Sequence, residues 1–290
     1  MPEDPAQPGA FRNKLDEIVA HKREEVAERK RQTSLEELQE RISELGRPRN
    51  FFGAVTFLDK KPRPDEMAII AEIKRRSPSA GLIRPEYDGD GFDPVAIAQQ
   101  YHHAGAAAIS CLTDETYFGG SLDSIHAIRD AVPLPVLRKD FIIDTWQVWE
   151  SRAAGADAIL LIAECLTEGE LIDLMILARQ LQLTTLVETH DMENLLRVRP
   201  HVGFPARSYM LLGINNRDLD TMTVDLNHTL RLVDMVEDRS TLVSESGINT
   251  PEDLARLRKA GVRIALVGES LMREENPGDA LTKLLKKPPV

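Results

Sequence analysis

The 290-residue sequence has only two cysteines, Cys111 and Cys165, and each lies in an apolar stretch. A secreted fold held by disulfides would need more, so we expect two buried thiols and no bridge. The seven histidines show no HxH or HExxH spacing, and the two cysteines are too far apart to form a CxxC pair. The sequence therefore predicts no metal site of those kinds.

Long apolar runs and an excess of positive charge are also missing. No window offers about 18 consecutive apolar residues, so neither a membrane span nor a membrane partner is expected. The N-terminal stretch MPEDPAQPGA has no apolar core, so we expect no signal peptide and, by default, a cytoplasmic location. The net charge is −11 and the pI is about 5.2. An acidic protein gains nothing from a phosphate backbone, so nucleic acid is not an expected partner.

Residues 1–66 are predicted to form an N-terminal helical extension and a linker. Apolar residues at helical spacing predict a first amphipathic helix over 11–31. A second helix is predicted to begin at Ser34, with Glu37 in position for a capping box, and to end at Gly46. A stretch rich in proline, lysine and arginine then leads to a larger domain over 67–290.

From residue 67 onward, short apolar stretches alternate with amphipathic ones. Buried strands are predicted at 67–74, 106–113, 135–142, 158–163, 184–190, 209–216, 241–247 and 264–271. The helical stretches between them begin with Asp, Ser or Thr, and several end at glycine. Eight such units in about 225 residues fit an α/β fold of the closed (β/α)8 TIM barrel type better than a doubly wound open sheet. The open sheet would normally show a glycine-rich phosphate turn after its first strand, where this sequence reads KRRSPSAG.

Charged and amide side chains gather at the C-terminal ends of the predicted strands, where TIM barrels carry their active sites. They are Glu72 and Lys74 on the first strand, Lys139 on the third, Glu188 on the fifth, and Asn215 and Arg217 on the sixth. One charged residue at a strand end is usually a solvated rim group, but four such ends together indicate a shared pocket. Two lysines and two glutamates in one pocket suit proton transfer, because opposite charges favour ionisation while burial opposes it.

Glycine-rich turns at the ends of the seventh and eighth strands, Ser246-Gly247 and Gly268-Glu269, predict a phosphate site. Backbone N–H groups at helix N-termini bind anions, and barrels often bind a phosphate at these two strands. The alternative is that the glycines only make tight turns. His190, which follows the fifth strand, is interpreted as a structural or rim residue.

Seven motifs in order resemble those of the indole-3-glycerol phosphate synthases. They are AEIKRRSPSAG, LTDETYFGGSLDSI, PVLRKDFIID, LVETHD, GINNRDL, VSESGI and LVGESLM, and PRNFFGA precedes them. The resemblance implies a carboxy-lyase of tryptophan biosynthesis that needs no cofactor. Its small phosphosugar substrate, 1-(2-carboxyphenylamino)-1-deoxyribulose 5-phosphate, would undergo ring closure, decarboxylation and dehydration to indole-3-glycerol phosphate.

The resemblance also implies a role for each matching residue. Lys139 looks like the family's general acid at the sugar carbonyl, and Glu188 looks like its partner acid/base. Lys74 would hold the departing carboxylate, and Glu72 would orient a lysine or a sugar hydroxyl. The implied substrate-binding residues are Asn215, Arg217, Phe118, Phe141 and Leu219, and the implied phosphate-binding residues are Ser77, Ser246, Gly247, Gly268 and Glu269.

Glu269 departs from part of the family pattern, because some members have serine there. If only its backbone N–H binds phosphate, its side-chain charge should point away from the site.

Two alternatives and the assembly state stay open from sequence. A relative of phosphoribosylanthranilate isomerase would carry a cysteine at the end of the first strand, where this chain has Glu72 and Lys74. A non-catalytic phosphosugar-binding barrel would be expected to lack Lys139 or Glu188. A monomer or weak homo-oligomer is expected, and contact with other enzymes of the tryptophan pathway is left open.

Overall fold

The computed structural model describes residues 14–57, 63, 66–218 and 221–286, and its main strands close into a barrel. The barrel strands are β1 (Ala68–Ile73), β2 (Ala108–Leu112), β3 (Val136–Lys139), β4 (Ala158–Ile162), β5 (Thr184–Thr189), β6 (Met210–Asn215), β7 (Leu242–Glu245) and β8 (Ile264–Val267). Neighbouring strands are parallel, and β8 pairs with β1 to close the ring. The predicted (β/α)8 barrel is confirmed, and each strand lies at or inside its predicted bounds.

Helices fill the connections between the strands and precede the barrel. They are α1 (Lys14–Gln32), α2 (Leu35–Glu44), α3 (Phe51–Val55), α4 (Pro94–His103), α5 (Asp123–Ala131), α6 (Thr145–Ala153), α7 (Glu168–Gln180), α8 (Met192–Val198), α9 (Asn227–Leu232), α10 (Pro251–Lys259), α11 (Glu269–Met272) and α12 (Pro277–Leu284). Side-chain caps begin several of them: Asp93, Asp144, Thr167 and Thr250 each accept a first-turn backbone N–H. These caps satisfy donors that the helix itself cannot pair.

Alternation along the strands determines which side chains face the barrel interior. Ala68 and Ile70 of β1 belong to an inner apolar cluster with residues of the other strands. Helix α3 adds Phe51 and Phe52 to this cluster, next to β1 and β2. Glu72 follows the same alternation as Ala68 and Ile70, so its side chain enters the barrel above the apolar layers.

Helix α1 lies across the C-terminal face of the barrel, where a buried lysine holds it. Lys22 Nζ lies 2.9 Å from Asp114 Oδ2 and 3.0 Å from Asp140 Oδ1, just beyond the ends of β2 and β3. These three side chains, here called the Lys22 cluster, are almost completely excluded from solvent. The helix predicted over 11–31 is therefore present from Lys14 to Gln32, and Phe11 lies outside the described residues.

Helix α2 begins as predicted but ends differently. Ser34 and Glu37 form the expected capping box. The helix ends at Glu44, and Leu45 is already extended, with φ −83° and ψ 139°. The prediction that Gly46 terminates the helix is therefore wrong, because an extended residue ends the helix without a left-handed glycine.

The domain boundary predicted at residue 66 stays a prediction. Helices α1 and α3 precede this boundary, and both pack against the barrel that follows it. In the part of the chain that the structure describes, no helix combines the length and apolar character needed to cross a membrane.

Candidate active site

The C-terminal ends of the barrel strands surround a cavity of about 410 Å³. The predicted site residues line it together, except Leu219, which lies outside the described residues. Those lining it are Glu72, Lys74, Ser77, Phe118, Lys139, Phe141, Glu188, Asn215, Arg217, Ser246, Gly247, Gly268 and Glu269. Residues that are distant in sequence thus meet because the parallel strands all end on the same side.

Two ion pairs form the charged floor of the cavity. Lys139 Nζ lies 3.0 Å from Glu188 Oε2, and Lys74 Nζ lies 2.7 Å from Glu72 Oε1. Asn215 donates from Nδ2 to the other Glu188 oxygen at 3.0 Å. Each pair is largely shielded from water, so its Coulomb interaction is stronger than at a surface.

The environment keeps Lys139 and Glu188 oppositely charged. Burial opposes the charge on Lys139, but the neighbouring carboxylates of Glu188, Glu245 and Glu72 raise its pKa above the usual value. Burial also opposes ionisation of Glu188, but the charge of Lys139 and contact with His190 hold its pKa well below the usual range. At neutral pH the site therefore contains a protonated lysine beside an ionised glutamate.

Glu245, the last residue of β7, is a site residue that the sequence reasoning missed. It is 1% exposed, and its Oε2 lies 3.7 Å from Lys139 Nζ. Burial and then the negative charge of Glu188 raise the pKa of Glu245 well above its usual value. Two neighbouring carboxyl groups with pKa values driven apart can supply an acid and a base to one reaction.

His190 forms part of the cavity wall rather than its rim. Its side chain is 6% exposed and its Nε2 lies 3.1 Å from Glu188 Oε1. On the other side its Nδ1 lies 3.1 Å from Glu164 Oε2. Of the two interpretations of His190, as a structural or a rim residue, the rim position is therefore wrong, and a structural role stays a prediction. Its position two residues after Glu188, immediately past the strand, was the available signal.

The two predicted phosphate turns have different backbone conformations. Ser246 and Gly247 are both left-handed, with φ of 64° and 74°, so successive N–H groups can face one anion. Gly268 is not left-handed, but a Cβ there would lie 2.4 Å from Glu72 Oε1. Gly268 is thus needed for the close approach of Glu72.

Glu269 does not turn its charge away from the other site residues. Its Oε2 lies 3.1 Å from Arg217 Nη2, and its Oε1 lies 2.6 Å from Arg273 Nη2. Arg217 also donates to Ser79 Oγ at 3.2 Å. The expectation that the carboxylate points away is therefore wrong: it lies against the guanidinium group of Arg217.

One wall of the cavity is apolar. The rings of Phe118 and Phe141 have centroids 6.1 Å apart and planes inclined at 40°. Leu15 and Ile18 of α1 add to this wall, which the sequence reasoning did not predict. A flat aromatic group fits between such surfaces, with its polar substituents toward the charged floor.

Both cysteines are free thiols, as predicted, but only Cys111 is buried and Cys165 is partly exposed. Burial, together with the charge of Glu72, raises the pKa of Cys111 to about 12. Within the described residues, no group of three His, Cys, Asp or Glu side chains could hold a metal ion.

Comparison with known proteins gives a consistent result. A family model described as indole-3-glycerol phosphate synthase matches residues 15–284. A protein of that name from Acidithiobacillus ferrooxidans is 49% identical over 270 residues, which cover 93% of this chain and 97% of the relative. One from Rhodopirellula baltica is 44% identical over 271 residues, covering 93% and 98%.

A solved structure of a more distant protein shares the fold. 3-Hexulose-6-phosphate synthase from Salmonella typhimurium matches with a TM-score of 0.58 at 14% identity, over 76% of this chain and 97% of that one.

Proposed function

Because the chain belongs to the indole-3-glycerol phosphate synthase family, we propose that its cavity residues divide the steps of indole ring closure among them. The reaction is that of a carboxy-lyase, which converts 1-(2-carboxyphenylamino)-1-deoxyribulose 5-phosphate to indole-3-glycerol phosphate with loss of carbon dioxide and water. The observation that carries the assignment is the pairing of Lys139 with Glu188 and of Lys74 with Glu72 in one cavity.

Lys139 acts as the general acid in this proposal. Its raised pKa keeps it protonated, so it can donate to the sugar carbonyl oxygen while the aromatic ring carbon attacks the carbonyl carbon. Glu188, 3.0 Å from Lys139, accepts the proton that the new ring must lose and returns it to the departing hydroxyl, which leaves as water. Asn215 holds the second Glu188 oxygen and so keeps the base in position.

Lys74 binds the carboxylate that leaves as carbon dioxide, and Glu72 orients Lys74 through their 2.7 Å contact. This pair lies at the end of β1, next to the proposed phosphate turn of β8, and the turn of β7 lies one strand further on. A carboxylate bound there would be held away from water, where loss of its charge on decarboxylation is less opposed by solvation.

The ends of the substrate are bound by different walls. The phosphate takes the N–H groups of Ser246, Gly247 and Glu269 and the Ser77 hydroxyl, and Arg217 anchors the sugar or the phosphate. The anthranilate ring lies against Phe118 and Phe141, with Leu219 as a further proposed contact. Fixing both ends would bring the reacting carbon atoms together without a further conformational search.

A sugar-phosphate isomerase is not favoured. Such an enzyme would need a titrating cysteine at the end of β1, where this chain carries Glu72 and Lys74. Cys111 does not replace it, because it packs in the apolar core outside the barrel and burial keeps its thiol protonated.

The test is to add the carboxyphenylamino-deoxyribulose phosphate to purified protein and follow indole fluorescence without added metal or nucleotide. We expect a rate that saturates with substrate. The variant Lys139→Met should lose about 10²-fold or more in kcat, because it lacks the general acid, while the substrate still binds through its phosphate. Turnover near the wild-type rate in this variant would contradict the role given to Lys139.

We further propose that the chain acts in the cytoplasm as a monomer or weak homo-oligomer. The support for a working monomer is that residues of one chain build every described wall of the cavity. Sedimentation at the enzyme concentration used for assay, with activity measured across a dilution series, tests this.

A further inference from the structure

His190 lies between two carboxylates, and the steps proposed above do not use it. Its Nε2 faces Glu188 and its Nδ1 faces Glu164, each at 3.1 Å. The side chains of the three residues are between 3% and 13% exposed. Both ring nitrogens therefore meet acidic oxygens where little water can compete.

Glu164 holds His190 at two points. The last paired position of β5 is Thr189, so the backbone N–H of His190 must find a partner outside the sheet. It donates to Glu164 Oε1 at 2.8 Å, while Glu164 Oε2 faces the ring. One carboxylate thus fixes both the backbone and the ring of His190, with Nε2 3.1 Å from Glu188 Oε1.

Helix α8 in turn holds the segment that carries Glu164. This residue lies in the short 3-10 turn Ala163–Cys165 after β4. Arg197 of α8 donates to the carbonyl oxygen of Leu166 at 3.0 Å and to that of Ala163. A continuous set of contacts therefore runs from α8 through Glu164 and His190 to Glu188.

We propose that His190 is a positioning residue for Glu188: its imidazolium, held by Glu164, fixes the carboxylate beside Lys139 and keeps it ionised for proton transfer. This inference rests on the function proposed above for Glu188. Without His190, Glu188 Oε1 would keep the Asn215 contact, but the carboxylate would have lost the positive charge beside Oε1 and would keep Lys139 beside Oε2.

The titratable groups around His190 come from several elements. They are Glu164 after β4, Glu188 on β5, Lys139 on β3, Glu245 on β7 and His228 on α9. Burial alone would lower the pKa of His190, but its contacts with Glu164 and Glu188 raise it to about 10. Burial lowers the pKa of His228, so the positive charge at this point of the wall belongs to His190.

The experiment compares pH profiles of kcat and KM for the wild type, His190→Gln and Glu164→Gln, from about pH 5 to about pH 10. Glutamine at 190 keeps a donor of similar reach but no charge. We expect kcat of His190→Gln at neutral pH to fall by about 10–100-fold, with little change in KM. Its acidic limb should move to higher pH, because Glu188 binds a proton more readily without the imidazolium.

Glu164→Gln should leave a different signature. The amide can still accept the His190 backbone N–H, but the anion that favours the charged ring is gone. The basic limb of the kcat profile should therefore move to lower pH, because His190 loses its proton earlier. A residue that only supports the fold would lower kcat at every pH and leave both limbs in place.

The matched control is His126→Gln, the same substitution on α5, where His126 forms an exposed pair with Asp130. It should match the wild type throughout. Unmoved limbs in both His190→Gln and Glu164→Gln, or wild-type kcat in both, would overturn the proposal. If His190→Gln fails to fold by circular dichroism, Glu164→Gln decides. Inactivity of the wild type itself, measured first, would count against the reaction and not against His190.

Discussion

Replacing Lys22 with methionine should destabilise the protein far more than the loss of an ordinary surface lysine. Lys22 Nζ contacts three carboxylates, at 2.8 Å (Glu25), 2.9 Å (Asp114) and 3.0 Å (Asp140). Methionine keeps most of the apolar stem and removes the charge. The loss in free energy of unfolding therefore depends on which other partners remain for the three carboxylates.

Asp114 is the carboxylate that loses most. Asp140 keeps Arg138 at 3.0 Å, and Glu25 is partly exposed. Asp114 is fully buried, and its Oδ1 keeps backbone N–H groups from Tyr117 and Phe118. Its Oδ2, however, has no hydrogen-bond partner among the described residues once the Lys22 ion pair is gone. Leaving one buried charge without its partner costs about 3–5 kcal/mol in free energy of unfolding, a large part of the usual total.

Urea unfolding followed by circular dichroism measures this loss. We expect a lower midpoint for Lys22→Met, and a partial recovery when Asp114→Asn is added, because the orphaned charge is then removed. The control is Lys30→Met, whose partner Asp144 lies at 2.6 Å but with both side chains substantially exposed. That loss should stay within about 1 kcal/mol. Equal losses in the two single variants would refute the reasoning, since burial would then not decide the cost.

The Lys22 cluster also predicts how stability responds to acid. Burial would raise the pKa of Asp140, but the charges of Arg138 and Lys22 lower it well below the ordinary value. A carboxyl group with a lowered folded-state pKa stabilises the fold at pH values above its unfolded-state pKa of about 4. That contribution is lost as the pH falls from about 4 through the folded-state pKa. Lys22→Met should therefore lose less stability on acidification than the wild type.

Two further substitutions test the geometry around the proposed phosphate turns. Gly268→Ala should lower kcat by about 10²-fold with the fold retained, because the new Cβ would displace Glu72. The control is Gly169→Ala, whose new Cβ would meet no neighbouring atom, and its kcat should equal that of the wild type. Glu269→Ser should lower KM by up to about fivefold with kcat unchanged, because it frees Arg217 to bind the substrate and keeps the backbone N–H of residue 269. A higher KM would show that the carboxylate of Glu269 helps substrate binding.

The barrel and the core of the candidate site could be predicted from sequence for one physical reason. Strands buried on both faces appear in the sequence as continuous apolar runs, and the capped helices between them begin with Asp or Thr. The alternation of strands and helices can therefore be recognised from the sequence. Once the barrel is closed, every strand end lies on the same side. Glu72, Lys139 and Glu188 therefore had to meet, although the first and the last are 116 positions apart in the sequence.

The part played by α1 could not be predicted in the same way. Lys22 lies among many charged residues on a helix, where a lysine is usually solvated. Its burial depends on Asp114 and Asp140, which follow strands far along the chain, and nothing in the local pattern reveals that contact. The same holds for Leu15 and Ile18, whose spacing predicts a buried stripe but not the cavity that the stripe covers.

Glu245 and Ser246 are adjacent in sequence but lie on either side of the end of β7, and different roles are proposed for them. Glu245 is the last residue of β7 and keeps the inward alternation of Val243, while Ser246 turns left-handed and begins the proposed phosphate loop. The sequence does contain a signal for the buried carboxyl group: Gly213 interrupts the apolar run of β6, and glycine inside a strand often marks a close approach. A Cβ at Gly213 would lie 2.4 Å from Glu245 Oε1. Gly213 on β6 thus marks the space that the Glu245 side chain of β7 needs. In a barrel the strands pair in chain order, so β7 is known from the sequence to lie next to β6.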